Sequence, residues 1–385
     1  MVTVRVDGGR RQELILAGGE APTVYLRCLG RLSRGGHALG LQIDVRASIP
    51  PTAAPVLLGV RAGCVPDGDP AAGIWASAPI LHYRQSAGRQ DRVATDTPLL
   101  MFYREVPAPS RSGQGAVEYH VVFSHEDAGT DLTGLLAKWG HTTDIEWVYR
   151  TQPPASGGVW RGEYQGRGHR TVAFRGRRAW GVHPVLQIAG RHGMVTERVR
   201  GTRRVALAPA LVQPVSEPRE GVLHRFPWVY RVSALEVLRQ VPLERGAVPY
   251  GAAPADPRRY VFLQWKRREE IAPLEAGVRT GGRWYTSAWG RAELAFHGAD
   301  AESTAVKLPA GTADAAVEAI AVRALAPPGA PIELALVRAF RLNDAYRPAR
   351  PLAAGGTVRL TAARTWAVAW RRAGGRPRGP AGGQE

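Results

Sequence analysis

Short runs of alternating hydrophobic and polar residues extend along most of this chain, with turn residues between them. VTVRV, ELILA and TVYLRCLGRL, for example, are separated by Gly-Gly or Gly-Glu. A period of two in segments rich in β-branched and aromatic residues is typical of strands. Long segments with a helical period are absent from the sequence. The pattern therefore predicts an all-β protein built around a central β-sandwich.

The runs form three regions and a tail. We expect an N-terminal β domain over residues 1–75, a central β-sandwich over 76–300 and a C-terminal β region over 301–372, with the outer regions also sandwich-like. The Gly- and Arg-rich residues 373–385 are predicted to be disordered. Within the central region, WVYRVSALEVL (228–238) is interpreted as another short β segment.

One short helix is predicted between two strands. The apolar residues of 132–139 recur at i, i+3, i+4 and i+7, which is one stripe of a helix. Asp131 lies at the N-cap position, and Gly140 lies where the helix should end. Residues 117–123 before this helix and 144–150 after it have strand patterns.

The second of these strands places two carboxylates together. A period of two puts Asp144 and Glu146 on one face and Ile145, Trp147 and Tyr149 on the other. Neighbouring carboxylates repel unless a cation, a proton or a base joins them. The stretch therefore predicts a metal or acid/base pocket, unless the two carboxylates instead pair with arginines on a solvated face.

Other candidate residues surround these carboxylates in the sequence. His141 lies just before them, and His125, Glu126 and Asp127 end the preceding strand. His192 ends a later strand and is favoured for the site over His183, which we interpret as structural or supporting. Arg161 begins a Gly- and Arg-rich segment that could hold an anionic ligand beside the pocket.

The charge of the chain favours anionic partners. There are 51 basic and 33 acidic residues, a net charge of +18, and all but three of the basic residues are arginine. Such a surface attracts acidic glycans, anionic lipids or nucleic acid. Abundant Ala, Gly and Pro make GC-rich codon usage a competing explanation, and specific nucleic-acid binding is disfavoured.

Cysteine and hydropathy patterns narrow the classes further. Cys28 and Cys64 are the only cysteines, so they form either one disulfide or two thiols, and a zinc knuckle is excluded. No run of 18 apolar residues predicts a membrane span, and residues 1–20 lack the apolar core of a signal peptide.

Aromatic residues crowd one predicted hairpin, where Trp284, Tyr285 and Trp289 occur. Aromatic rings can stack on sugars, but rings in paired strands more often belong to a core. Signatures of serine hydrolases, P-loop enzymes, HExxH metalloproteases and Rossmann proteins are absent.

The segment Gly140-His-Thr-Thr-Asp-Ile-Glu146, followed by Trp-Val-Tyr, resembles the Gly-His-Arg-His-Asp-Trp-Glu heptapeptide of necrosis-inducing NLP proteins. The preceding YHVVFSHED resembles the strand and acidic loop of that family. A related fungal vacuolar-protein-sorting family shares this layout and a later Pro-Val strand ending in Ala-x-x-His, as from Pro184 to His192. The resemblance covers residues 117–195 and departs from the heptapeptide at Thr142, Thr143 and Ile145.

This resemblance implies a β-sandwich that binds a divalent cation. The implied ligands are His141, Asp144, Glu146 and either Glu126 or Asp127. Mostly carboxylate oxygens with one imidazole suit Ca²⁺, Mg²⁺ or Mn²⁺ better than Zn²⁺. The family also implies a place outside the cytoplasm.

Two functions follow as hypotheses. In the first, a non-enzymatic protein uses the cation to bind an anionic glycan or a lipid headgroup, with Arg161, Trp147 and His125 nearby. In the second, a metal-assisted or acid/base hydrolase or lyase cleaves a polysaccharide or a phosphoester. Its general base would be Glu126 or Asp127, and its acid His141 or His192. A purely structural β module is the third alternative.

Overall fold

Strands make up most of the regular structure in the computed structural model, as the alternating sequence predicts. The structure describes residues 1–19, 21–44, 56–83, 97–107, 115–126, 131–152, 161–189, 193–201, 203–209, 211–214, 219–240, 242–244, 253–267, 272–296 and 303–373. Residues 374–385 of the predicted tail lie outside these residues. No described helix is both long enough and apolar enough to cross a membrane.

The chain divides into two compact units. Unit 1 comprises residues 1–130 and 143–233, and unit 2 comprises residues 131–142 and 234–385. The described helices are α1 (Ala72–Ser77), α2 (Leu132–Trp139), α3 (Val222–Arg225) and α4 (Trp228–Gln240). Short 3₁₀ turns lie at Arg219–Gly221, Pro257–Arg259, Ala292–Leu294 and Asp314–Ala316.

Thirteen described strands belong to unit 1: β1 (Val2–Val6), β2 (Arg10–Leu14), β3 (Leu39–Ile43), β4 (Ile80–Tyr83), β5 (Pro98–Val106), β6 (Ala116–Phe123), β7 (Ile145–Gln152), β8 (Arg161–Gly166), β9 (Arg170–Ala173), β10 (Arg178–Ala179), β11 (His183–Ile188), β12 (Val195–Thr196) and β13 (Arg203–Val205). They form the sheets β2-β1-β3, β10-β11-β4-β13 with β12 on β11, and β5-β6-β7-β8-β9. Pairing is antiparallel except between β11 and β4.

The two larger sheets of unit 1 bury a shared apolar cluster. Tyr119, Val121 and Phe123 of β6 meet Leu81 of β4 and Leu186 of β11 in this cluster, and none of the five is measurably exposed. Sheet-on-sheet burial of this kind makes a β-sandwich. Asp144 and Glu146 lie at one end of β7, and the structure therefore places them at the margin of this sandwich.

Eight described strands belong to unit 2: β14 (Tyr260–Arg267), β15 (Leu274–Thr280), β16 (Arg283–Thr286), β17 (Ser303–Lys307), β18 (Val317–Ala324), β19 (Ile332–Phe340), β20 (Thr357–Leu360) and β21 (Trp366–Arg371). They form two four-stranded sheets, β17-β14-β19-β20 and β16-β15-β18-β21, which share one core. Trp265, Val278, Ile320 and Leu334 are fully buried there.

The two compact units have different boundaries from the three regions predicted from the sequence. β14 pairs with β17 and β19, so the boundary expected at residue 300 falls inside one sheet. Residues 1–75 are also tied to later strands of unit 1: the Cys28 amide donates to Ala206 O, and the Arg204 amide donates to a Glu13 carboxylate oxygen. Local sequence patterns do not indicate these pairings, because the paired residues are far apart in the chain.

The segment 228–238 was wrongly predicted as a strand, because it lies in the helix α4. Its Val, Tyr and Trp residues favour strands locally. In the structure Val229, Ser233 and Val237 are buried at spacings of four residues, which is the period of a helix face. The helix predicted at 132–139 is confirmed: the Asp131 side chain accepts a hydrogen bond from the Thr133 amide, and Gly140 ends the helix with φ 69°.

Candidate functional site

The pairing of β6 with β7 places the two candidate carboxylates. The Phe123 amide donates to Asp144 O at 2.8 Å, and Glu146 lies opposite Val121. The register then skips Val148, which forms a β-bulge. Strict alternation predicted that Tyr149 and Glu146 lie on opposite faces. Because of the bulge, both residues lie on the same face.

Glu146 belongs to a polar cluster at the end of β8. Gln165 Nε2 donates to Glu146 Oε2 at 2.8 Å and lies 2.8 Å from Nδ1 of His169. His169 Nδ1 is also 4.0 Å from Glu146 Oε1. The His169 side chain is 54% exposed and that of Glu146 17%, so the cluster reaches solvent through the imidazole.

Sequence reasoning did not identify His169. It follows Gly168 in the turn between β8 and β9, and both residues have positive φ angles, 57° and 71°. Positive φ is uncommon for residues other than glycine, although His, Asn and Asp adopt it more readily than most. The adjacent arginines predict only a basic loop here. The structure shows that the turn also places the His169 imidazole near Glu146.

Asp144 is buried, with 5% of its surface exposed. A Cβ at Gly193 would lie 3.0 Å from Asp144 Oδ2 and 2.5 Å from Cε2 of Phe123. Gly193 has φ 57°, so both its backbone conformation and the available space require glycine. Gly193 directly follows the candidate His192, which itself lies outside the described residues.

The ligand set implied by the family resemblance is divided between the units. His141, 5% exposed, follows α2 in unit 2, whereas Asp144 and Glu146 belong to unit 1. In the described part of the chain no group of three or more His, Cys, Asp or Glu residues could hold a metal ion. Asp127 is outside that part, as is His192, so the full ligand set stays a prediction.

The three predicted ligand-contacting residues have different environments. His125 is 1% exposed, and its Nδ1 lies 2.8 Å from Ser124 Oγ. Trp147 lies next to Glu146 in the strand and therefore points to the other face of the sheet, where the Arg150 guanidinium stands 4.7 Å from its ring centre. Arg161 is exposed and lies opposite Gln152. Gln152 is six residues along β7 from Glu146, so Arg161 is on the order of 20 Å from Glu146.

The remaining candidates have simpler environments. Glu126 is half-buried after the end of β6. His183 is buried, and its Nδ1 lies 2.9 Å from Ala78 O, which fits the structural role expected of it. Cys28 is buried and Cys64 exposed, and both are free thiols, so the disulfide alternative is wrong.

A second polar cluster, which the sequence analysis did not predict, occupies the Trp147 face of the sheet. Arg104, Glu118, Arg150 and Glu163 lie directly opposite one another on β5, β6, β7 and β8. Arg150 donates to Glu118 from Nε at 2.7 Å and to Glu163 from Nη1 at 2.7 Å. His120 Nε2 lies 2.8 Å from Glu118 Oε1. This row requires the register of four strands, which no local pattern contains.

The pKa values define the charges in this second cluster. Burial alone would raise the pKa of Glu118, but the hydrogen bond from His120 and the charge of Arg150 lower it to about 2. Burial lowers the pKa of His120 and outweighs the opposing effect of Glu118. Glu118 is therefore ionised and His120 neutral near pH 7, with Nε2–H donating to the carboxylate.

Comparisons with known proteins favour neither functional hypothesis. No protein-family model, curated protein or solved structure matches this chain, so the resemblance to the NLP family rests on the residues quoted for it.

Proposed function

We propose that unit 1 binds a divalent cation through Asp144 and Glu146 and, next to it, an anionic or hydroxyl-rich ligand such as a glycan or a lipid headgroup. The observation that supports this most directly is the polar cluster of Glu146, Gln165 and His169, which opens to solvent at the margin of the sandwich. Carboxylate and amide oxygens are the donors preferred by Ca²⁺ and Mg²⁺, and Mn²⁺ accepts the same set.

The exposed turn between β8 and β9 supports the ligand part of the proposal. Arg167 and Arg170 are exposed on either side of His169. A cation held by the carboxylates would neutralise them, and the two guanidinium groups would then attract an anionic group to the same margin. The net charge of +18 favours the same class of partner.

The metal requirement can be tested directly on the purified protein. Metal content by mass spectrometry and thermal unfolding with added Ca²⁺, Mg²⁺ or Mn²⁺ should both show binding. Glu146→Gln and Asp144→Asn should abolish the increase in melting temperature. Glu163→Gln is the matched control, because Glu163 lies in the same sheet and pairs with Arg150. The proposal fails if no ion binds, or if Glu146→Gln responds as the wild type does.

The two ligand sources require separate assays. Vesicles containing anionic lipid and soluble acidic polysaccharide should be tested with the preferred cation and again with EDTA. We expect binding to one of them, loss in EDTA, and a weaker interaction for His169→Asn. Asparagine also tolerates positive φ, so this variant removes the imidazole with little effect on the turn. Binding that is unchanged in EDTA would contradict the role of the cation.

A further inference from the structure

The sheet β16-β15-β18-β21 of unit 2 presents one face outward. Val278, Ile320 and Ala367 point into the core. Their neighbours Gly277 on β15 and Ala321 on β18 lie opposite each other and point outward. Two small residues at the centre of this outward face leave room for larger side chains from the edges of the sheet.

Two tryptophans from the edge strands occupy that room. Trp284 belongs to β16 and Trp366 to β21, which are the two edges of the sheet. Their ring centres nevertheless lie only 4.9 Å apart, at an interplanar angle of 85°. We call this pair the aromatic corner. Both rings are partly exposed, so they do not belong to the core of the sandwich.

Gly277 permits this meeting. A Cβ there would lie 2.7 Å from Cη2 of Trp366 and 3.3 Å from Cε3 of Trp284. Trp366 therefore extends from β21 across β18 to β15. Ala321 of β18 is fully buried although it points outward, which indicates that the indole ring covers it. The two nearly perpendicular rings thus meet above Gly277.

Charged pairs border the aromatic corner. Arg279 Nε lies 3.3 Å from a Glu318 oxygen, and Arg323 forms an ion pair with Glu275. Arg323 lies directly opposite Trp366 on the neighbouring strand, and Arg279 lies directly opposite Trp284. Each indole therefore has an arginine beside it whose charge is balanced by a carboxylate.

We propose that the aromatic corner binds a pyranose ring of a saccharide. The axial C–H bonds of a pyranose pack on an aromatic face, and its hydroxyl groups need donors and acceptors at the edge. The partly exposed Arg323 can supply a donor there and the partly exposed Glu318 an acceptor. Stacked nucleobases would require an unbalanced basic path for the phosphates. The arginines beside the corner are instead paired with Glu275 and Glu318 on the same face.

This proposed site uses residues of unit 2 alone and does not depend on the cation site proposed in unit 1. Affinity electrophoresis of the full chain through gels containing β-glucan, xylan, soluble chitin derivative or pectin would identify the saccharide. Calorimetry with the matching oligosaccharide would then give the dissociation constant. Trp366→Leu should weaken binding about tenfold, because leucine covers Ala321 but has no aromatic face. Trp366→Phe should retain binding within about threefold of the wild type.

Three controls make the result decisive. Trp370→Phe changes a tryptophan that packs against the core and should leave affinity unchanged. Circular dichroism and melting temperature must show that each variant is folded. Binding should persist in EDTA and in Glu146→Gln, which separates this site from the cation site. The proposal is overturned if no saccharide binds, if folded Trp366→Leu binds like wild type, or if only single-stranded oligonucleotides bind at the corner.

Discussion

Nε2 of His120 lies 2.8 Å from Oε1 of Glu118, and both side chains are at least nine-tenths buried. The imidazole also stacks on Phe102, with ring centres 4.8 Å apart. A buried carboxylate is stable as an ion only if its hydrogen bonds and charges replace water. Here His120 and Arg150 provide that replacement, and so the pair couples stability to pH.

Stability should fall as the pH decreases from neutral. The pKa of His120 is lowered in the folded state, so the unfolded chain takes up that proton first as the pH drops through its ordinary value of 6.5. The pKa of Glu118 falls from 4.5 to about 2 on folding, so its contribution is complete above 4.5 and is lost towards 2. Both groups therefore destabilise the fold in acid.

Glu118→Gln isolates the carboxylate contribution. At pH 7 we expect a loss of about 3 kcal/mol in the free energy of unfolding, since the shift in pKa corresponds to an energy of that size. The difference from wild type should shrink between pH 4.5 and 3. Urea unfolding followed by circular dichroism at several pH values measures it, and a difference independent of pH would contradict the assignment.

Arg150 should matter more for stability than Glu163, although they are hydrogen-bonded to each other. Arg150→Met leaves Glu118 buried beside His120 without its main cation and should cost about 3 kcal/mol. Glu163→Gln removes a carboxylate that is 27% exposed and should cost less than about 1 kcal/mol. Equal losses in urea unfolding would contradict the role of Arg150 as the main cation beside Glu118.

Gly193 should tolerate substitution less well than Gly168, although both have positive φ angles. Gly193→Ala meets Phe123 and Asp144 and should cost about 3 kcal/mol, from backbone strain and overpacking together. Nothing lies within 4 Å of a Cβ at Gly168, so Gly168→Ala should cost only about 1 kcal/mol. Thermal unfolding of the two variants compares them, and similar losses would mean that the packing around Asp144 is loose.

Local signals predicted the fold class and the helix α2, because Asp131 and Gly140 determine its ends within the sequence itself. The same signals placed Glu146 on β7 but did not indicate its neighbour His169. That contact depends on the turn that follows β8, where His169 lies. The row from Arg104 to Glu163 and the skipped residue Val148 depend on strand register, which is set by tertiary packing. Helix α4 was missed for a similar reason: burial overrode its local strand preference.

Gly277 provides the most direct test of the aromatic corner as a structural arrangement. Gly277→Ala should displace Trp366, because the new methyl group would overlap its ring, and the expected cost is about 2 kcal/mol. The pair Trp284–Trp366 should then separate, which near-ultraviolet circular dichroism detects as a loss of indole coupling. Gly329→Ala is the matched control, since nothing lies within 4 Å of a Cβ there and its backbone is not in the left-handed region. If Gly277→Ala leaves both the indole signal and the stability unchanged, the rings do not meet over β15, and the proposed saccharide site lacks its aromatic surface.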